Sequence, residues 1–241
     1  MIISVICVYN NRDSLESHLL KSLDGQSIEY ELILLKNIFD KYNSAAEALN
    51  YGGSIAKGQY LMFIHQDFEF NSDKWLEDVE NILKNLDFGV AGVAGKYGRK
   101  CVSNITDGFP PALTGEIQIK EPEEVQTIDE CVIIIPEKLF KEIHFDEITC
   151  DNWHLYGVDY CLTAKKAGFK VYVLPIDGYH ASIAENSKSH GNYYSTLRKV
   201  IKKHKNEHKW IYTTTGSWST IFPLNLQILY QKIYYSIHPK K

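Results

Sequence analysis

Apolar positions in the first two-thirds of the chain fall in short continuous runs that alternate with helically spaced ones. Residues 2–8 (IISVICV) are apolar and rich in β-branched side chains, too short for a helix, and predict a buried strand. Asp13, followed three residues later by Glu16, reads as a helix start that satisfies free N–H groups. Leu15, Leu19, Leu20 and Leu23 continue at helical spacing to a stop at Gly25. Residues 31–35 read as a second strand. Ala45, Ala48, Leu49, Gly52 and Ala56 then line one face of a small-residue helix able to lie close to a sheet. Residues 60–64 predict a third strand. Residues 72–86 predict a helix with Ser72 as its cap, and residues 88–94 a fourth strand.

Strand–helix alternation with short connections implies parallel strands covered by helices. Ligands in such sheets bind beyond the carboxyl ends of the strands. That draws attention to residues 9–12, 36–43 and 65–69. The stretch 96–124, interrupted by Gly98, Gly108, Pro110, Pro111, Gly115 and Pro122, reads as a long loop. Residues 127–135 predict a strand. Asn152 is placed to cap a helix over 153–167 that Gly168 ends, and residues 169–174 predict another strand. A basic amphipathic helix over 193–208 and an aromatic-rich one over 224–237 follow. The fold class is α/β: a mostly parallel central sheet with helices on both faces, plus C-terminal helices.

Composition narrows the function. Among 241 residues, 26 Lys and Arg stand against 30 Asp and Glu, a net charge of −4, which excludes a polyelectrolyte-type nucleic-acid binder. No apolar run reaches the roughly 18 residues that a membrane span needs. The first residues have no basic segment ahead of the apolar run, so no signal peptide is expected. The five cysteines are odd in number and without CxxC spacing, which reads as buried thiols in a reducing cytoplasm.

Four places carry candidate chemistry. Tyr9 and Asn10 end the first strand, where an aromatic and an amide can hold a base; Asn is equally a turn residue. His65, Gln66 and Asp67 follow the third strand, and a carboxylate with an imidazole suits a divalent cation. The same residues also read as a solvated loop entering a helix. Trp153, His154 and Tyr156 open the helix that carries Asp159, and its aromatics can stack on a sugar or join the core. His180 follows the last strand and is a structural residue unless the fold sets it beside Asp67.

Together these motifs resemble one family. Residues 3–10 (ISVICVYN), 43–50 (NSAAEALN) leading into 56–67 (AKGQYLMFIHQD), and 156–171 (YGVDYCLTAKKAGFKV) resemble, in order, three motifs of family 2-like glycosyltransferases of the GT-A fold. The middle motif stands as His-Gln-Asp in place of the acidic DxD triplet. Three ordered motifs are more specific than any one alone. The resemblance covers about residues 1–185, so a catalytic domain over 1–185 and a helical appendage of the same domain over 186–241 are expected.

The resemblance implies sugar transfer, with inversion, from a nucleotide-sugar donor, foremost a UDP-sugar, to a hydroxyl of a glycan or lipid-linked acceptor in polysaccharide biosynthesis. Tyr9, Asn10, Asn37, Asn43, Asn50 and Gln66 are then the nucleotide-sugar contacts. Asp67 and His180 hold Mn²⁺ or Mg²⁺, and Trp153, His154 and Tyr156 meet the acceptor. Asp159 is the base, with Asp151 behind it, because the usual Glu-Asp pair stands here as Tyr156-Gly157. A cytoplasmic enzyme is implied. Its basic and aromatic C-terminus would suit the inner face of an anionic membrane; packing on the domain itself or on a second subunit of a homodimer is the commoner use of such amphipathic helices. Two other readings stay open: a sugar nucleotidyltransferase, which normally has glycines where Tyr9–Arg12 stand, and an inactive sugar-nucleotide or glycan-binding module.

Overall fold

The computed structural model describes residues 2–38, 41–181 and 189–237. Its centre is a seven-stranded sheet made of β1 (Ile3–Tyr9), β2 (Tyr30–Lys36), β3 (Tyr60–Ile64), β4 (Val90–Gly92), β5 (Glu123–Glu124), β6 (Val132–Pro136) and β7 (Val171–Val173). Across the sheet the order is β5-β7-β4-β6-β3-β1-β2. β1 pairs in parallel with β2 and β3, and β7 with β4, while β6 is antiparallel to β3 and β4, and β5 to β7. All strands except β5 and β6 therefore share one direction, and their carboxyl ends meet along one edge.

Period-two alternation sends neighbouring strand residues into different cores. Val5, Cys7, Met62 and Ile64 pack with Leu15, Leu19 and Leu23 of α1 and with Leu76 and Val79 of α3 (Trp75–Leu83). The helix α1 runs through Arg12–Leu15, a π-helical stretch Glu16–Leu20, and Lys21–Leu23. Ile6, Leu61 and Phe63 face the other way, onto Ala45, Ala48 and Leu49 of α2 (Ala45–Ile55). Each buried Leu or Ile stabilises the fold by about 1.5–3 kcal/mol. Gly52 makes the close approach of α2 feasible: a Cβ there would lie 2.6 Å from Ile6 Cγ2.

Several elements depart from the sequence pattern. The helix α3 begins after Lys74, not at Ser72. Residues 96–124 are no plain loop. Lys100–Ser103, Thr106–Asp107 and Ala112–Leu113 form short strands in two small sheets, and β5 joins the central one. Glycines and prolines cut these strands too short to show a periodicity. A short helix α4 (Glu137–Glu142) follows β6. The helix expected from Asn152 starts later, as α5 (Tyr156–Lys166), because Asn152 folds a turn instead, its Oδ1 accepting from His154 N and its Nδ2 donating to Thr196 Oγ1.

At the C-terminal side, α6 (Ser189–His204) is followed by a hairpin, Trp210–Thr213 with Gly216–Ser219, and by α7 (Leu224–Ile237). Leu197, Val200, Ile211 and Trp218 belong to the same core as α2 and α5. The expected boundary at 185/186 lies outside the described residues. Among those described, no helix is long and apolar enough to cross a membrane. None of the five cysteines is in a disulfide, and all but Cys101 are buried.

Candidate active site

At the carboxyl edge of the sheet lies a cavity of about 810 Å³. Val8, Tyr9 and Asn10 from the end of β1, and Asn37 from the end of β2, form one side. His65, Gln66 and Asp67 enter after β3, and Glu130, Trp153, His154 and Tyr156 close the other side. Gln66 ties the loops together: its Oε1 accepts from Asn10 N and Asn11 N at 3.0 Å, and its Nε2 donates to Asn10 Oδ1. Asn37 Oδ1 accepts from Tyr42 N at 2.8 Å, shaping the turn that leads into α2.

His180 meets Asp67 because the strand Tyr179–His180 pairs antiparallel with Phe68–Glu69. His180 Nε2 lies 3.3 Å from Asp67 Oδ1 and 3.3 Å from His65 Nδ1. One ligand atom from each of His65, Asp67 and His180 lies within 4.8 Å of the others. His65 Nε2 is 3.1 Å from Tyr156 Oη. Two imidazole nitrogens and a carboxylate oxygen suit Mn²⁺ and related divalent ions. Burial, with His180 adding to it, lowers His65 to about 4, so its ring is neutral at physiological pH. Burial opposes ionisation of Asp67, but its hydrogen bond and attraction to His180 prevail and lower it to about 2. The same contact raises His180 against its own burial.

Not every expected site residue reaches the cavity. Asn43 is exposed and donates to Glu47 Oε2 from both its backbone and its side chain. Asn50 clips α2 to the segment after α4: its Nδ2 donates to Phe145 O and Glu147 Oε1, and its Oδ1 accepts from Phe145 N. Neither lines the cavity, since both amides are engaged elsewhere. Asp159 is 2% exposed and holds α5 to α6, with Oδ1 2.8 Å from His204 Nε2 and Oδ2 2.7 Å from Lys203 Nζ. Asp151 is exposed and paired with Lys199 at 2.6 Å. Both carboxylates lie outside the cavity lining, committed to cations of α6.

A model of the glycosyltransferase-like family matches residues 4–205. The chain belongs to that family. The chain also resembles solved GT-A structures. Residues 1–349 of S. aureus TarS in complex with UDP-GlcNAc superpose with a TM-score of 0.61 at 18% identity, covering 86% of this chain and 67% of that one. GalNAc-T7 with UDP, GalNAc and Mn²⁺ gives 0.57 at 12% identity, covering 76% and 44%. A curated relative from Fuscovulum blasticum, "ATP synthase subunits region ORF 6", is 25% identical over 162 residues, covering 62% of this chain. The chain spans 61% of the length of that relative. Family membership favours a glycosyltransferase-type chain over the nucleotidyltransferase reading.

His65, a candidate cation ligand beside Asp67 in the His-Gln-Asp triplet, completes the Asp67–His180 pair that the resemblance implied. Glu130 had no signal, because it sits in the turn between Thr127–Ile128 and β6, far from any matched motif.

Proposed function

We propose that this glycosyltransferase moves a sugar from a UDP-sugar to a hydroxyl of a glycan or lipid-linked acceptor, inverting the anomeric centre, with Mn²⁺ or Mg²⁺ as cofactor. The observation that carries the reading is the His65–Asp67–His180 cluster beside a cavity within the usual size range of small-molecule sites. Tyr9, Asn10, Asn37 and Gln66 hold the nucleoside end, where strand ends and their loops converge. A divalent cation bound by the cluster neutralises the diphosphate charge of the departing nucleotide. Trp153, His154 and Tyr156 form the acceptor side. Solved relatives containing UDP-GlcNAc, or UDP with Mn²⁺, support this choice of donor and metal.

Residues 1–185 act as the catalytic part, and 186–241 as an appendage that shares its core. The transferase works in the cytoplasm at the inner face of a membrane. From His208 onward the sequence has no acidic residue, and α7 leaves Leu226, Leu229, Tyr230 and Ile233 exposed, a combination that suits an anionic lipid surface. Docking of a second subunit through the same face is the competing use. Thermal melts with UDP-, GDP-, dTDP- and CMP-sugars, each with and without Mn²⁺, test the donor: a UDP-sugar should raise the midpoint only with the metal present. Stabilisation by a different nucleotide, or by none, would reject the assignment.

A further inference from the structure

We propose that Glu130 is the catalytic base, its carboxylate taking the proton of the acceptor hydroxyl as that hydroxyl attacks the donor sugar. The proposal rests on the reading of the cavity as the transfer site. Of the described residues lining that cavity, only Asp67 and Glu130 are acidic. Asp67 is bound to His180. Glu130 instead faces the first turn of α5, where its Oε1 accepts from Gly157 N at 3.0 Å and the backbone N–H groups of Tyr156 and Leu155 also turn toward it.

The local fold is arranged around this carboxylate. Leu155 sits at φ 63°, in the left-handed region that non-glycine residues rarely adopt. That conformation turns three successive backbone N–H groups onto one side chain. Gly157 leaves room for it: a Cβ there would stand 3.1 Å from Glu130 Cγ and 2.9 Å from Ile133 Cδ1. Burial, reinforced by neighbouring Asp129, raises Glu130 to about 8 despite the backbone donors. Tyr156, Cys150, Cys161 and Tyr193 are the other titratable groups that feel its charge. A carboxylate poised near neutral pH is well matched to accept a proton and release it again.

In the step, the acceptor oxygen bonds to the anomeric carbon while the bond from that carbon to the diphosphate oxygen breaks. The bonding pair leaves with the nucleotide diphosphate, and the hydroxyl proton passes to Glu130 Oε. Glu130 returns the proton to water once the products leave.

The test uses the full chain with Mn²⁺ and UDP-GlcNAc, or whichever nucleotide sugar gives the largest metal-dependent thermal shift, with water as acceptor. Glu130→Gln should slow nucleotide release about 100-fold or more while leaving affinity for the nucleotide diphosphate within about twofold. Wild-type turnover should rise with pH up to about 8. Glu130→Ala should be equally slow. Turnover of Glu130→Gln within about threefold of wild type, or a wild-type rate that is flat between pH 6 and 9, would overturn the assignment. A wild-type protein that neither binds nor cleaves any nucleotide sugar would refute the donor reading itself, and this proposal with it.

Discussion

Asp159→Asn separates a structural carboxylate from a catalytic one. The wild-type side chain is 2% exposed and accepts from both Lys203 and His204, and His204 is itself 2% exposed. Burial works against the Lys203 charge, but Asp159, together with Asp146, raises its pKa. Removing one partner from a buried ion pair costs about 3–5 kcal/mol. Lys203 keeps Asp146 at 2.9 Å and is 30% exposed, so the low end, about 3 kcal/mol, applies. A chain of this size loses about 2–4 °C of melting temperature per kcal/mol, which gives a drop on the order of 6–12 °C. Thermal melts should show that drop. Nucleotide release at 20 °C, measured per folded molecule, should stay within about twofold of wild type. A variant that melts like wild type but turns over about 100-fold more slowly would refute this reasoning and restore Asp159 as the base.

Three further outcomes follow from the same contacts. Folded Glu130 keeps its proton up to about pH 8, whereas an unfolded glutamate loses it near 4.5, so the ionising group weakens the fold as pH rises between these values. Glu130→Gln should therefore gain melting temperature over wild type from about pH 4.5 to 8 and hold a constant gain above; an equal difference at pH 5 and pH 8.5 would contradict this. Asn50→Ala should lower stability by about 1–3 kcal/mol through the lost clip to Phe145 and Glu147, measured by urea unfolding, with nucleotide affinity unchanged. The transferase should pellet with anionic vesicles at low salt, and Leu229→Asp should release it; wild-type protein left in the supernatant would exclude membrane contact.

Much of the fold is legible because burial on two faces writes a periodic pattern. β1, β2, β3, α2 and α7 fall where apolar runs and helical spacing place them. The carboxyl-edge rule then points to Tyr9, Asn37 and Asp67, and an unexpected strand pairing brings His180 to Asp67. Asp159 is different. Its position one residue past Val158 on α5 reads equally as a solvent-facing or a cleft-facing carboxylate. Only the packing of α6, more than 40 residues away, reveals that Lys203 and His204 bind it. Asn50 misleads for a similar reason, since its partners come from the loop after α4. Glu130 stays hidden because a glutamate in a turn is common, and its significance lies in Gly157 and the left-handed Leu155 directly against it.

The central claim is that a nucleotide diphosphate and a divalent cation meet at His65, Asp67 and His180. Calorimetric titration of UDP into the transferase, with Mn²⁺ and then with EDTA, tests it most directly. The account predicts binding at least about tenfold tighter with Mn²⁺, and loss of that metal dependence in Asp67→Ala with the melting transition retained. UDP bound equally well with EDTA, or an Asp67→Ala variant with undiminished metal dependence, would contradict it.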